Sequence, residues 1–401
     1  MSNSLLSSPI LTGTLTESSL YQIMSVGLTD TILLMGHADA TIMYEPYQVI
    51  DAKKAIAFLN KDPQSPLLRA FLEAYNAGCK DIRLMAVAPM SEYQSTISDR
   101  LISNPGFGNK TFYQIYFERL TTAYASLYGY DFPEIVVPVE AVFYNAGSVD
   151  FLNQLIDFCE STFSVTGSVC LGVLGTRVSN FSSTDIDAMV NDSRLASIGA
   201  AGKFVMVVVG EGTVSHPQMS STYATSLSTT IASLIAVSNR SDFQEAPRSV
   251  AGLPLPNVAS VVGNDLQKED LERLAQARLN VVARTTRGKR GYAFQTRLLT
   301  DNTLGQENSD FWSMGQMHIV ATVINQIRAF GFSYIGTIYL AKFKQTVYDY
   351  LTNLTARKYI KDFSLNIVEE DHGQRALVYV GIVPIFGIRQ ITFQIEVGPG
   401  A

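Results

Sequence analysis

Hydrophobic residues alternate between continuous runs and spaced stripes from about residue 28 onward. Runs such as LTDTILLMGHA (28–38) and KFVMVVVGEG (203–212) are typical of strands buried on both faces of a sheet. The stretch SPLLRAFLEAYNAG (65–78) has apolar residues three or four apart, a serine N-cap, a proline at the first helical position and a final glycine, which predict a helix. Because runs and stripes keep alternating, the pattern predicts an α/β body with a mixed sheet flanked by helices.

The pattern changes in the last third of the chain. A helix of small residues (223–239) leads into a link containing proline and glycine (245–260), which marks the expected domain boundary. The body is therefore expected at 23–250 and an α+β C-terminal domain at 251–386. The elements expected in that second domain are a short helix, two strands around a basic turn, a long helix at 312–330 ended by Gly331, a second helix at 340–354, and strands joined by a polar turn at 370–374.

Both ends of the chain are expected to form extended arms. Residues 1–22 are polar, rich in serine and threonine, and too poor in periodic apolar residues to pack alone. Residues 387–401 contain a strictly alternating strand. Such a strand must pack on a sheet, and either its own domain or a neighbouring subunit can provide it. The apolar side of this strand consists of Ile391, Phe393, Ile395 and Val397.

Composition limits the classes of function. The 401 residues, of which 47% are hydrophobic and 16% charged, suit a globular chain of two or three domains. The net charge of −6 gives no basis for wrapping nucleic acid. No stretch is apolar enough to predict a membrane span, and no basic region precedes an apolar leader. The chain is therefore expected to be made in a reducing cytoplasm, where its three cysteines are small buried hydrophobes: Cys79, Cys159 and Cys170.

Candidate catalytic residues are scattered. The four histidines, His37, His216, His318 and His372, show no paired-ligand spacing and are expected to have structural roles. The segment NPGFGNKT (104–111) only partly matches a phosphate-binding loop, which favours a surface turn. The sequence therefore assigns no catalytic, cofactor-binding or metal-binding residue.

Two pairs near strand ends leave alternatives open. Glu134 and Glu140 flank an apolar strand, either as an acid/base pair or, as we favour, as solvated carboxylates. Gly172 and Gly175 close another strand, where a nucleotide site can form, but they lack the dinucleotide-binding fingerprint.

A basic turn stands out in a chain with few charges. It contains Arg284, Arg287, Lys289 and Arg290. Such a cluster either docks on an acidic partner or forms a solvated hairpin tip, and the sequence does not decide between these readings.

Three segments together resemble the contractile tail sheath proteins of bacteriophages and related injection devices. The first, EPYQVIDAKKAIAFLNKDPQSPLLRAFLEAYNAGCKDIRLMAV (45–87), is similar to the early strand–helix–helix–strand block of that family. The second (249–302) has the family's link, its helix ending near Arg-Leu-Asn and its strand pair around a glycine turn. The third, VATVINQIRAFGF (320–332), is similar to a helix of the family's C-terminal domain. The order of these segments is more specific than any one of them.

The resemblance implies a structural role without catalysis or a cofactor. It implies a subunit that polymerises helically, with six-fold rings, around a tail tube and contracts to drive the tube through the host envelope. The implied partners are further copies of this chain, the tube, the baseplate and the tail terminator, with no direct contact to nucleic acid and no membrane insertion. The implied location is the virion tail. The residues expected to face the tube are Arg287, Lys289, Arg290, Trp312 and Gln316.

Two other classes remain possible from the sequence. One is another tail or baseplate component, which is also structural. The other is an α/β enzyme acting on a small molecule, which needs polar groups that converge near the carboxyl ends of the strands.

Overall fold

The computed structural model describes residues 31–178, 181–219, 221–238, 250, 253–262, 266–284, 291–293, 298–299, 314–334, 340–370 and 375–384. The strands are β1 (Ile32–His37), β2 (Tyr47–Gln48), β3 (Ile82–Ala88), β4 (Ile135–Pro138), β5 (Leu171–Gly175), β6 (Val205–Val209), β7 (Glu211–Val214), β8 (Tyr223–Thr225), β9 (Val258–Val262), β10 (Asn280–Arg284), β11 (Gly291–Ala293), β12 (Ile360–Glu370) and β13 (Arg375–Pro384). The helices are α1 (Ala52–Phe58), α2 (Pro66–Ala77), α3 (Phe112–Ser126), α4 (Phe151–Thr166), α5 (Ser183–Val190), α6 (Ser193–Ser197), α7 (Ser228–Ser238), α8 (Lys268–Gln276), α9 (Met314–Tyr334) and α10 (Leu340–Ala356).

A mixed sheet forms the centre of the described chain, as the sequence predicts. Its eight described strands follow the order β2-β3-β1-β4-β5-β6-β10-β11. The six inner strands are parallel, and the two outer strands run antiparallel to their neighbours. Every residue of β1, β4, β5 and β6 is buried. Continuous apolar runs are what a parallel sheet covered on both faces requires.

Helices cover both faces of this sheet. The Cβ of an alanine at Gly172 would meet Leu155 of α4, whereas one at Gly175 would meet Ser228 at the start of α7. Since residues three apart in a strand point to opposite faces, α4 and α7 lie on opposite sides of the sheet. Helix α2 packs against α7, and α3 packs against α4.

The predicted signals of α2 act as expected. The Ser65 hydroxyl accepts a hydrogen bond from the backbone N–H of Leu68 at 3.2 Å, and Pro66 occupies the first turn. Gly78 ends the helix with φ of 100°, a left-handed conformation that favours glycine. These local rules set the ends of α2, which packs against β1 and β3.

A smaller antiparallel sheet, β8-β7-β9, was not predicted. The sequence predicts one helix over 223–239, which is wrong in its first part. Tyr223–Thr225 pairs with β7, and Leu227 has φ of 55°, so the helix begins only at Ser228. Strand pairing overrides the local helical pattern at this point.

The C-terminal elements match the expected order. Helix α9 does not end at Gly331, as predicted, but continues to Tyr334. Helix α10 follows, and β12 and β13 form an antiparallel hairpin. Of its expected turn, 370–374, residues 371–374 lie outside the described residues, and Glu370 ends β12. A second hydrophobic core joins these elements and contains Ile319, Val323, Ile327, Phe330, Phe343, Val347, Tyr350, Leu351, Leu354, Tyr359, Ile360 and Ile367.

Helix α9 belongs to two cores. Met314, Met317 and Ala321 pack into the core of the body, while other positions such as Val323 and Ile327 pack into the second core. In addition, β10 and β11 lie beyond the boundary expected near residue 250, yet they extend the body sheet. The domain bounds expected from the sequence, 23–250 and 251–386, stay a prediction.

Candidate functional site

Four charged side chains are buried together at the carboxyl edge of the parallel strands. Glu140 follows β4, Arg177 follows β5, and Glu211 begins β7 directly after β6. Arg100 comes from a 3-10 turn (Ile97–Leu101) in the connection between β3 and α3. In open α/β sheets, ligands bind at this edge, beside the strand where the chain order reverses. The topology therefore indicates this carboxyl-edge cluster as the candidate site.

The carboxyl-edge cluster is a continuous chain of ion pairs. Arg100 Nη1 donates to Glu140 Oε2 at 2.6 Å, and Arg177 Nη1 donates to Glu140 Oε1 at 2.9 Å. Arg177 Nε lies 3.3 Å from Glu211 Oε2. No side chain of the four is more than 8% exposed. Two guanidinium groups thus face two carboxylates, which offsets the cost of burying each charge.

The pKa values show what the cluster can do chemically. Burial by itself raises the pKa of Glu140, but the charges of Arg177 and Arg100 outweigh it and lower the pKa to about 2. Burial lowers the pKa of His37 to about 3, and the charge of Arg100 acts in the same direction. At neutral pH Glu140 is therefore ionised and His37 is neutral. Because a carboxylate with so low a pKa is a poor proton acceptor, Glu140 is suited to holding structure rather than to moving protons.

The backbone at Glu140 has an unusual conformation. Its φ is 70°, in the left-handed region that costs roughly 1–2 kcal/mol for a residue with a side chain. Both backbone groups of the preceding residue, Val139, are hydrogen-bonded. Its N–H donates to the carbonyl of Met35 at 2.7 Å, and its carbonyl accepts from Tyr116 Oη at 2.5 Å. These contacts and the two arginine ion pairs hold the carboxylate in place.

Glu134 and Glu140 do not form an acid/base pair. Glu134 precedes β4 and Glu140 follows it, so the two residues lie at opposite edges of the sheet. The expectation that both are solvated is also wrong, because each is less than 9% exposed. Each carboxylate has a buried cationic or histidine partner, which sequence spacing does not reveal.

Gly172 and Gly175 have packing roles. A Cβ at Gly172 would lie 2.6 Å from Leu155 Cγ, and one at Gly175 would lie 2.4 Å from Ser226 Oγ. The absence of a side chain at these glycines therefore lets neighbouring helices and loops pack closely against the strand, and leaves no room for a nucleotide.

The segment 104–111 is a surface turn, as expected, in which Lys110 pairs with Glu118 at 2.7 Å.

A second buried cluster surrounds Glu73 of α2. Tyr223 Oη donates to Glu73 Oε1 at 3.1 Å, and Thr230 Oγ1 donates to Glu73 Oε2 at 2.8 Å. His216 Nε2 lies 2.9 Å from Tyr223 Oη, and His216 Nδ1 lies 3.0 Å from Asn76 Nδ2. Burial raises the pKa of Glu73 to about 7 and lowers that of His216 to about 4. This network ties the small sheet to α2 and α7.

A third set of polar contacts joins α9 to the amino edge of the sheet. His318 Nε2 lies 2.8 Å from Glu134 Oε2, and both side chains are buried. Asn325 binds both backbone groups of Val169, accepting from its N–H and donating to its carbonyl, each at 2.9 Å. Arg328 donates to Ser168 Oγ. The residues contacted directly precede β4 and β5, so α9 is held in a fixed position on the body.

Most sequence-predicted partner residues lie outside the described residues. This applies to Arg287, Lys289, Arg290 and Trp312 of the tube-facing set and to Ile391, Phe393, Ile395 and Val397 of the C-terminal arm. Gln316 is described, in the first turn of α9, and is partly exposed. Its contact with a tube stays a prediction, as do the two arms.

Sequence reasoning missed the carboxyl-edge cluster. A signal was present, because Glu140, Arg177 and Glu211 each stand within two residues of the end of a buried strand in a chain with few charges. Arg100 gave no such signal, since it lies in a polar segment. The free, buried cysteines agree with their predicted role.

Metal-binding groups and membrane-spanning helices are absent from the described part of the chain. Its histidine, cysteine and acidic side chains form no group of three or more that could hold a metal ion. Its helices include none that is long and apolar enough to cross a membrane.

The fold matches solved structures at low sequence identity. A chain of the anti-feeding prophage baseplate in its contracted state has a TM-score of 0.65 and 14% identity over 92% of this chain and 93% of that one. The sheath tail protein of Listeria innocua has a TM-score of 0.60 and 11% identity over 92% and 94%. A chain of the anti-feeding prophage helical sheath in its contracted state has a TM-score of 0.56 and 10% identity over 92% and 95%.

Comparison by sequence gives a different result. No family model matches the chain, and no curated protein matches it. The similarity at 10–14% identity therefore concerns the fold, and it extends over nearly the whole length of both chains. The resemblance expected from three segments of the sequence is confirmed at that level: the chain has the fold of the contractile tail sheath proteins.

Proposed function

We propose that the chain is a structural subunit of a contractile tail, and specifically a sheath subunit that polymerises helically around a tail tube. The observation that carries this proposal is the match to a chain of a contracted helical sheath over 92% of the sequence. Contraction of such a sheath drives the tube through the host envelope. The carboxyl-edge cluster supports a structural role, because its buried charges are paired with one another.

A baseplate role is the second candidate. Two of the matching chains come from baseplate structures of the anti-feeding prophage, with TM-scores of 0.61 and 0.65. The fold therefore suits either position in a tail. The two roles differ in the assembly that the subunits form. Sheath subunits add to one another in an open helix that grows into a tube, whereas baseplate subunits close into a ring or disc.

The C-terminal hairpin supports assembly by strand addition. Among the described residues, β12 and β13 pair only with each other, so each has one edge open to a further strand. Val368, Tyr379 and Val383 are between 39% and 56% exposed on this ribbon. Long open edges with apolar side chains promote pairing with other chains. We propose that the strand at 387–401, and the arm at 1–22, of neighbouring subunits pair with such edges.

The tube-facing surface is proposed from charge. Arg287, Lys289 and Arg290 form a cationic cluster in a chain of net charge −6, and such a cluster suits an acidic tube surface. Trp312 and Gln316 are proposed to lie on the same inner side. The other proposed partners are the baseplate and the tail terminator, and the proposed location is the virion tail after synthesis in the host cytoplasm.

Negative-stain electron microscopy of the purified full chain tests the main proposal. Helical tubes or sleeves are expected for a sheath subunit. Rings or discs that never extend would favour the baseplate role. Discrete particles at every protein concentration and salt condition would contradict both structural roles and would favour an α/β enzyme.

Variants of the C-terminal arm test the mode of assembly. Deleting residues 388–401, or changing both Phe393 and Ile395 to Asp, should give a folded monomer that no longer forms sleeves. The matched control changes Thr392 and Gln394 to Asp, which adds the same charge on the polar side of the same strand. Sleeves formed by the truncated chain would mean that the strand serves its own domain.

Charge reversal tests the proposed tube contact. Changing Arg287, Lys289 and Arg290 together to Glu should reduce co-sedimentation with purified tube at low salt while circular dichroism stays unchanged. The control reverses Lys53, Lys54 and Lys61, which lie in or beside α1. Equal co-sedimentation of the wild type and the 287–290 variant would refute the assignment of this turn to the tube.

A further inference from the structure

The connection between β3 and α3 is unusually long for a compact domain. Residues 89–111 contain only three short 3-10 turns, Met90–Glu92, Ile97–Leu101 and Pro105–Phe107. Connections longer than about 12–15 residues without regular structure are uncommon and usually have a function. We call residues 93–111 the strap.

The structure describes every residue of the strap, and Arg100 is the only one of them that is buried. Its side chain is 0% exposed, whereas the next two residues, Leu101 and Ile102, are 46% and 60% exposed. These two apolar side chains are therefore largely accessible to solvent. The strap is held to the carboxyl edge of the sheet by this guanidinium group and by the ring of Tyr93, which lies against the rings of His37 and Phe112.

The surroundings of Arg100 have the features of a guanidinium-binding site. Nη1 donates to Glu140 Oε2 at 2.6 Å, and Nε donates to the carbonyl of Gln94 at 2.8 Å. Cζ lies 4.8 Å from the ring centroid of Phe112 and 5.5 Å from that of Tyr93. A carboxylate, a carbonyl and aromatic faces are the groups that match the planar fork of a guanidinium, and an ammonium ion fits them less well.

The two sides of this site belong to different parts of the chain. Glu140 and Phe112 are part of the body, at the end of β4 and the start of α3. Gln94 and Tyr93 belong to the strap. The carboxylate of Glu140 is fixed independently of the strap, because Arg177 also binds it at 2.9 Å. Removing Arg100 would therefore leave a preformed carboxylate facing an empty space of guanidinium shape.

We propose that the carboxyl edge of the sheet carries a guanidinium-binding site, that the chain's own Arg100 occupies it, and that this occupancy holds the strap on the body. The site lies where α/β proteins bind their ligands, so Arg100 fills that crevice from within. The inference goes beyond the proposed function and does not depend on it.

Limited proteolysis of an Arg100→Ala variant tests the proposal. Thermolysin cleaves beside apolar residues, and Leu101, Ile102 and Phe107 offer such sites in the strap. The variant should be cleaved within residues 93–111 at least about tenfold faster than the wild type, as expected from losing hydrogen bonds to a charged group. Ethylguanidinium at millimolar concentration should slow this cleavage, and ethylammonium at the same concentration should not. Mass spectrometry of the fragments locates the cut.

Matched variants separate the site from general effects. Arg194→Ala removes another arginine that is paired with carboxylates, and its cleavage should not respond to ethylguanidinium. Arg100→Lys keeps the charge without the fork, and its strap should also be cleaved faster. Equal cleavage of the wild type and both Arg100 variants would overturn the proposal, as would equal protection by the two cations. Failure of both variants to fold would also overturn it, because Arg100 would then support the whole body rather than the strap.

Discussion

Replacing Glu73 with glutamine is expected to remove a pH-dependent loss of stability. Glu73 is 3% exposed, and burial raises its pKa from 4.5 to about 7. Between these two pH values the folded chain keeps the proton and the unfolded chain has released it. Unfolding therefore releases a proton, and the free energy of unfolding falls as the pH rises from 4.5 to about 7.

The magnitude follows from the two pKa values. Each pKa unit corresponds to about 1.4 kcal/mol, so the full loss above pH 7 is on the order of 3 kcal/mol. Below pH 4.5 both states hold the proton, and the wild type should resemble the variant. Glutamine reproduces the protonated carboxyl in shape and keeps groups that can pair with Tyr223 and Thr230. Glu73→Gln should therefore exceed the wild type in stability above pH 7 and equal it near pH 4.5.

Urea unfolding followed by circular dichroism between pH 4.5 and 8 measures this difference. His37 and His216 have lowered pKa values, so their titration raises stability with pH and opposes the effect of Glu73. The difference between wild type and variant isolates the contribution of Glu73. Glu160→Gln, at an exposed position of α4, serves as control. A difference between wild type and Glu73→Gln that stays constant across this pH range would refute the reasoning.

Three other predictions concern stability. Glu140→Gln leaves two buried guanidinium groups without a full counter-charge and should lower the free energy of unfolding by about 3–5 kcal/mol, measured by urea unfolding at pH 7; a loss below 1 kcal/mol would contradict the role of the cluster. Asn325→Ala removes two hydrogen bonds to Val169 and should lower the free energy of unfolding by about 1–3 kcal/mol. Compared with the wild type, hydrogen exchange should become faster in α9 but not in α10; an equal change in both helices would contradict this prediction. A fragment of residues 23–300 should unfold more cooperatively than one of residues 23–250, because it includes β10, which covers the edge of β6; identical unfolding curves would show that the body does not need β10.

Local rules account for much of the fold. Strand β1 and helix α2 were predictable because a continuous apolar run and a complete set of capping residues leave few alternatives. The small sheet was not predictable from Tyr223–Thr225, since this segment carries a helical pattern and becomes a strand only by pairing with β7. Short segments of this kind take the structure that their distant neighbours favour.

The candidate site was less predictable than the fold. Three charges that follow buried strands were visible in the sequence, and the parallel order of the strands brings their ends to one edge. The position of Arg100 depends on the path of the strap, which has no periodic pattern to read. The partners of His318 and Asn325 were hidden for the same reason, since each contact spans more than 150 residues of sequence.

The order of the strands in the sheet also determines which strands can pair while the chain is still being synthesised. Strand β1 emerges first among the described strands; β3 joins it on one side, and β4 then pairs with its other side, followed outward by β5 and β6 in the order in which they are made. The next strand on that side, β10, comes about 70 residues later, which at 5–20 residues per second is a delay of roughly 4–14 s. Through that interval the valine-rich strand Val205–Val209 forms the open edge of a partly made sheet. A nascent chain stopped in this interval should be the stage most prone to aggregation and most in need of a chaperone.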